Sequence, residues 1–387
     1  MNKYAALLIF IFIITIQVKG QDAKFDSIVI KGIKQIYSIE LKQAEKTFNK
    51  LITDYPKHPA GKFFLAMLDW WRILLDTSTE QRDELFFEKI EEVIDHCDKI
   101  LDEDPENIDA LFFKGGAIGF RGRLNALRES WLSAADDGRG ALPLVEEAGE
   151  LDPDNVDVKL GFGIYNYYAA VIPEKFPIVK PLMIFLPSGD KGLGLKQLKD
   201  VAQNGKYTKY EARYFLMTLY YRFEKNYDAA EEYSKMLNED FPNNPVFERW
   251  RGRIAMKKGD LILADSIFKS ILWKGEKRYP GYNTLRAKRE ANYYIGYNFR
   301  NLGKHNSAQV YLEKCINYSL KLDKDEESGF LINATLYLGT IKEMGKEYAA
   351  AKMYYQRVLD MREFGNSHDL ADIYLERIEK LEEKNKK

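Results

Sequence analysis

Four histidines and two cysteines are the side chains of this 387-residue sequence best suited to nucleophilic, acid–base or metal chemistry. Their spacing argues against all three. His58 lies by an expected helix stop, His96 on an acidic helix face, His305 in an inter-helix turn and His368 before the last helix. None stands near a Cys, Ser or carboxylate at a spacing that implies a relay. Cys97 and Cys315 are too few for a four-thiolate zinc site, and each falls on the apolar face of an expected helix. No H-E-x-x-H, G-x-S-x-G, C-x-x-C or phosphate-cradling loop is present. Gly192-x-Gly194 lacks the third glycine and the preceding strand of a dinucleotide site. Paired carboxylates such as Glu91-Glu92 and Glu326-Glu327 belong to helix faces expected to be solvated. The expectation is a non-catalytic protein with no cofactor and no metal.

Composition points to binding instead. Hydrophobic residues make up 45% and charged residues 30%, which excludes a disordered chain. Lys+Arg 58 against Asp+Glu 59 leaves a net charge of −1, so there is no global basic field to hold nucleic acid. The 25 Tyr and 22 Phe supply rings well beyond what one small core needs.

A repeat places these side chains. A small residue is followed at +12 by Ala, four later by an aromatic or other residue, and three later by an aliphatic. Gly32, Ala44, Phe48 and Leu51 fit, as do Thr218, Ala230, Ser234 and Leu237; Gly252, Ala264, Phe268 and Ile271; Gly296, Ala308, Leu312 and Cys315; and Gly339, Ala351, Tyr355 and Val358. The small residues suit a close crossing of two antiparallel helices, and the +16 ring suits the gap to the next pair. Pro56 and Pro242 follow second helices, where proline stops a hydrogen-bonded turn. Residues 59–105, 107–153 and 155–206 read as degenerate or expanded pairs, and Asp369 to about Lys384 as a closing helix with a polar outer face.

These residues resemble the tetratricopeptide repeat family, although the consensus Trp is mostly missing. The resemblance implies an all-α, right-handed α-solenoid of about eight helix pairs plus a C-terminal capping helix. The middle of the chain carries Gly163-Ile164-Tyr165-Asn166-Tyr167-Tyr168, then prolines, then Leu186-Pro187-Ser188-Gly189-Asp190-Lys191-Gly192-Leu193. That stretch is similar to exported bacterial repeat proteins and, weakly, to a eukaryotic tetratricopeptide family linked to inclusion-body clearance. The N-terminus departs from the cytosolic eukaryotic pattern, so that family's cellular role does not carry over.

The N-terminus reads as an address label. Lys3 precedes an apolar run from Ala5 to Ile16, and Val18-Lys19-Gly20 offers a cleavage site before Gln21. This is the layout of a secretory signal peptide, too short for a good membrane span. Export follows as an expectation, to a periplasm or the exterior, with a bacterial envelope favoured and no transmembrane span once the signal is removed. The expected organisation is a signal at 1–20, degenerate units with insertions at 21–206, and regular units with the cap at 207–387.

Two insertions break the pattern. Gly115, Gly116, Gly119 and Gly122 sit inside one expected helix, either for close helix packing or for the approach of a ligand. Arg121, Arg123 and Arg128 near Trp131 either pair with internal acids such as Asp136 and Asp137 or meet an anionic partner. From Val171 to Asp190, Pro173, Pro177, Pro181 and Pro187 forbid a continuous helix in an apolar segment that must be covered. It either plugs the concave groove or meets a partner or bilayer.

Residues one, four and five beyond each small crossing residue are expected to face the groove. They give Arg222 and Phe223, Arg253, Tyr297 and Arg300, with Tyr165 and Asn166 added if Gly161 is a crossing residue. Arg beside Tyr and Phe is the mixture enriched where proteins bind one another. The expected function is a scaffold holding a protein or peptide segment in this groove. The alternative is a small-ligand or glycan binder using the central Gly/Tyr/Pro-rich region, Gly115–Trp131 and Tyr165–Asp190, as a closed pocket, with Arg121, Arg123, Trp131 and Asp190 as its candidate residues.

Overall fold

The computed structural model describes residues 23–175 and 187–386, and every regular element among them is helical. The leader and most of the proline-rich segment, residues 1–22 and 176–186, lie outside the described residues. The helices are α1 (Ala23–Tyr37), α2 (Leu41–Asp54), α3 (Ala60–Leu75), α4 (Asp83–Glu103), α5 (Ile108–Leu127), α6 (Trp131–Leu151), α7 (Lys159–Lys175), α8 (Lys191–Asn204) and α9 (Lys209–Leu219). They continue as α10 (Tyr227–Asp240), α11 (Pro245–Lys258), α12 (Leu261–Glu276), α13 (Leu285–Asn301), α14 (His305–Leu322), α15 (Gly329–Met344), α16 (Tyr348–Leu359) and α17 (Ser367–Lys386). Consecutive helices pack as eight pairs closed by α17, a tetratricopeptide-like solenoid.

Local sequence explains where the helices stop and start. α2, α4, α6 and α10 each end two residues before a proline, at Pro56, Pro105, Pro153 and Pro242. Asn107, Asn226, Asn244 and Asp260 each accept a hydrogen bond from a first-turn backbone N–H of the next helix. Gly259 closes α11 at φ 77°, in the left-handed region that glycine adopts without penalty. α7 is described as far as Lys175 and carries Pro173, the first of the four prolines, inside it. Asp157 pins the turn into α9 by accepting from the N–H groups of Lys206, Tyr207 and Thr208 at 3.0–3.1 Å.

The small crossing residues do what their spacing requires. A Cβ added at Gly252 would lie 2.7 Å from the Phe268 ring, and one at Gly296 would lie 2.9 Å from Leu312. Gly32 and Gly339 are likewise covered by Phe48 and Tyr355. The same ring then reaches the next pair: Phe48 stacks on Phe64 at 4.9 Å and Phe268 on Tyr294 at 4.6 Å. One side chain thus seals both its own pair and the following junction, and overfilling it costs about 1–3 kcal/mol. Cys97 and Cys315 are both fully buried without a disulfide, and burial pushes each thiol up to about 12.

Curvature is visible in which helices touch. First helices of successive pairs meet one another (α1 with α3, α3 with α5, α5 with α7, α13 with α15), while no two second helices pack comparably among the described residues. First helices therefore form the inner layer, where the radius is shorter.

In the first six pairs this curvature closes the solenoid on itself. Tyr37, at the end of α1, packs against Trp71, Tyr210, Phe241 and Phe247. Its carbonyl accepts from Asn244 Nδ2 at 2.8 Å, across 207 residues of chain. Trp71 of α3 meets Phe247 of α11 edge-on at 5.7 Å, and Asp26 of α1 pairs with Lys206 at 2.5 Å. One continuous core runs from Phe25 to Ile254. It crosses the 206/207 boundary expected from repeat regularity without a break. Beyond Ile254 the core splits into separate clusters between successive pairs. The inner face is thus filled over most of the first six pairs, because their inner helices meet.

Candidate binding surface on the inner helices

Where the closed part ends, arginines and rings line the inner layer. Immediately after α9, Tyr220–Glu224 wind as a π-helical turn, a distortion that often marks a functional site. This turn presents Arg222, which is exposed and lies over the Trp250 ring of α11 at 5.3 Å. Arg253 lies 4.8 Å from the same ring, and Tyr221 meets its edge at 5.2 Å. Further along, Arg300 sits over Tyr337 of α15 at 4.7 Å and donates from Nε to Thr340 Oγ1 at 3.0 Å. Tyr297 leans on Tyr337 at 5.7 Å and remains half-buried. Sequence placed Arg222, Arg253, Tyr297 and Arg300 together, and the structure joins them in one arginine–aromatic ladder over α9, α11, α13 and α15.

A buried carboxylate organises the middle of the ladder. Glu290 of α13, 1% exposed, accepts from Arg249 Nε at 2.7 Å and Arg253 Nη2 at 2.8 Å. Burial alone would raise its carboxyl, but the two guanidiniums outweigh burial and hold it down at about 2. Arg286, one turn earlier on α13, has no such partner among the described residues. Burial and then its neighbours Arg249, Arg289 and Arg253 bring its guanidinium down to about 10, with Glu290 only partly opposing them. Arg289 is already spent on Asp323 at 2.7 Å.

The remaining expected residues serve the packing. Gly163, not Gly161, is the crossing residue of its pair: a Cβ there would lie 2.8 Å from Leu198 and 3.1 Å from Gly194 O. This two-residue shift turns Tyr165 and Asn166 away from the ladder. Tyr165 donates to Pro187 O at 2.6 Å, and Asn166 donates to Gln197 of α8 at 3.0 Å. Phe223 packs on the Tyr167 and Tyr168 rings.

Arg121 bonds Asp137 and also reaches Glu91. Arg123 pairs with Glu211 of α9 and is enclosed by Trp70, Phe120, Tyr214 and Phe215, with the Trp70 and Phe215 rings at 4.8 and 4.5 Å. Tyr37 completes this hub by donating to the other Glu211 oxygen at 2.7 Å. Trp131 is 52% exposed and Asp190 caps α8, so neither joins Arg121 and Arg123 in a pocket. Arg128 bonds Asp83, so all three arginines of that insertion answer to acids. Close packing accounts for Gly115, Gly116 and Gly122, which face Val145, Phe63 and Asp137; Gly119 faces open space.

Arg249, Trp250, Arg286, Glu290 and Tyr337 escaped the sequence reading because it sampled only positions beyond each crossing glycine. The signal was available. Stepping back from Tyr297 by four, seven and eleven residues along the same face of α13 gives Tyr293, Glu290 and Arg286.

The tetratricopeptide repeat family model matches residues 290–318, which cover most of α13 and most of α14. No curated protein matches this chain. Among solved structures, the human IFIT1 dimer with m7Gppp-AAAA is similar at 13% identity and a TM-score of 0.43, over 94% of this chain and 88% of that one. The C-terminal part of a TPR repeat-containing protein from Cytophaga hutchinsonii is similar at 17% identity and a TM-score of 0.35, over 80% of this chain and 98% of that one. The APC/C hetero-tetramer Cut9–Hcn1 is similar at 16% identity and a TM-score of 0.43, over 91% and 64%. Likeness at this level assigns no ligand.

Proposed function

We propose that the chain is a non-catalytic scaffold that holds an extended polypeptide segment against the ladder from Arg222 to Tyr337. The observation that carries this reading is the contrast along the inner layer. Rings of the chain itself fill most of the inner face from α1 to α11, whereas the turn after α9 leaves Arg222, and α13 leaves Tyr297 and Arg300, accessible beside the Trp250 and Tyr337 rings. Tyrosine and arginine supply large contact area and planar donors for a peptide backbone. The small-ligand alternative finds no support in the Arg121–Arg123 region, whose guanidiniums are committed to Asp137, Glu91 and Glu211.

Random peptides displayed on phage and selected against the full chain test the reading. Selected peptides should bind in solution and lose at least about tenfold in affinity on Arg222→Glu or Tyr297→Ala, since each change removes a hot-spot-type contact. These positions are better probes than Arg253, whose pairing with buried Glu290 makes any charge reversal a folding defect. Failure to select any peptide, or binding indifferent to both changes, would sink the scaffold reading.

The leader-like first twenty residues extend the proposal to a chain that works outside the cytoplasm. Intact-mass measurement of the protein recovered from the envelope or medium should give a chain beginning at Gln21. A full-length chain confined to the cytoplasm refutes export.

A further inference from the structure

We propose that one edge of the solenoid, formed by the turns from odd- into even-numbered helices, rests on a lipid bilayer carrying anionic headgroups. In a stack of antiparallel helix pairs all such turns lie along the same edge. Large apolar side chains project from it into solvent. Trp131 and Leu132 stand at the α5–α6 turn, Ile262 at α11–α12, Leu302 at α13–α14 and Met344 at α15–α16. Each is more than half exposed, and Ile262 reaches 87%. Exposed apolar residues scattered singly need no explanation, but these recur at one position of the repeat. Leu302-Gly303-Lys304 and Met344-Gly345-Lys346 place the same kind of trio in successive turns.

Charge selects the surface. Lys225, Lys257, Lys304 and Lys346 are exposed on this edge, and none meets an acid among the described residues. The acids beside these lysines are committed: Glu224 to Tyr167 and Lys191, Asp228 to Lys258, Asp260 to the cap of α12 and Glu347 to Lys342. The opposite edge is acidic. There Asp102, Glu103 and Glu106 near the end of α4, Asp154 after α6 and Asp325 after α14 are exposed without a cation among the described residues. The molecule is thus polarised from edge to edge, and an anionic surface draws it in with the lysines leading.

Shape separates a bilayer from a folded partner. The apolar tips are carried on separate turns rather than gathered into one patch. A folded partner needs a contiguous, water-excluding core to its interface. A fluid headgroup layer admits each tip alone, with Trp at the interface and lysines among the phosphates. This edge is not the inner face, so the inference stands independently of the scaffold reading.

The native thiols make a site-resolved test practical. Cys97 and Cys315 are fully buried, so a cysteine placed on the exposed edge takes a thiol dye selectively. Full-length chains carrying Ile262→Cys, Leu302→Cys or Met344→Cys are labelled with the environment-sensitive dye NBD, alongside Leu320→Cys towards the opposite edge as control. All four side chains are more than half exposed, so the fold tolerates the changes, and thermal unfolding of each labelled chain checks this. Vesicles of phosphatidylcholine mixed with phosphatidylglycerol should raise emission at least about twofold at the three edge sites, as each label leaves water, and leave Leu320→Cys unchanged. The readout is local, so lipid uptake through the leader-like N-terminus does not produce it. Lys304→Gln and Lys346→Gln should each weaken vesicle binding about fivefold, the effect of one lysine near an anionic surface.

Edge labels unchanged by these vesicles, or an equal rise at Leu320→Cys, would overturn the proposal. An equal response to vesicles of phosphatidylcholine alone would do the same by removing the role of the lysines. A rise with protein concentration in the absence of lipid would mark a second copy of the chain as the occupant, and would also overturn it.

Discussion

Glu211→Ala should lower the unfolding free energy of the closed part of the solenoid by about 3–5 kcal/mol, because it strands a buried guanidinium. Arg123 is enclosed by Trp70, Phe120, Tyr214 and Phe215, and Glu211 is its counter-charge. The same carboxylate accepts from Tyr37, so its removal also leaves a buried phenol without an acceptor. These three residues belong to α5, α9 and α1, which are distant in sequence, so the loss falls on closure rather than on any one pair. Hydrogen exchange should show protection falling across residues 23–254 together, with α13 to α16 much less affected. A uniform loss over the whole chain would contradict separate cores. Replacing both charges, as Arg123→Met with Glu211→Leu, should cost clearly less than Glu211→Ala alone, since neither partner is then left buried and unpaired.

Glu290→Ala is expected to destabilise α11 and α13 by a similar amount, about 3–5 kcal/mol, since Arg249 and Arg253 lose their shared acid. This site also predicts a pH dependence. Glu290 is held at about 2 in the folded chain, below its ordinary value near 4.5. A group depressed by folding binds fewer protons in the folded state, so its contribution is fully present above the ordinary value. That contribution declines as pH falls below about 4.5 and is gone once pH passes below about 2. Urea midpoints measured between these limits should therefore fall more steeply for the parent than for Glu290→Gln. Parallel slopes would show that the pair does not couple to folding.

Much of the architecture was legible in the linear pattern. Gly32, Gly252, Gly296 and Gly339 lie under the residues sixteen positions later, as the spacing required, and the helix stops fall before the prolines that announced them. Both features depend on contacts within one pair or at one helix end, so a local period suffices to write them. The central pair was misframed for the same reason. Its long insertion breaks the +12 step, and Gly163 rather than Gly161 meets Gly194.

Which arginines would be free to bind was a different kind of question. Arg123 and Arg222 look equivalent in sequence, each set among aromatics, yet one is the buried hub of the closed part and the other stands exposed on the ladder. The repeat alone determined the helix pairs, their crossings, the inner layer and the aromatic wealth of that layer. Tertiary structure decided where the inner layer closes. Closure depends on small rotations between successive pairs that accumulate over six units until Tyr37 meets Phe247 and Glu211 meets Arg123. No single repeat encodes that sum, and burial turns the outcome into chemistry: rings and charges that meet become core, and those at its edge or beyond it remain available.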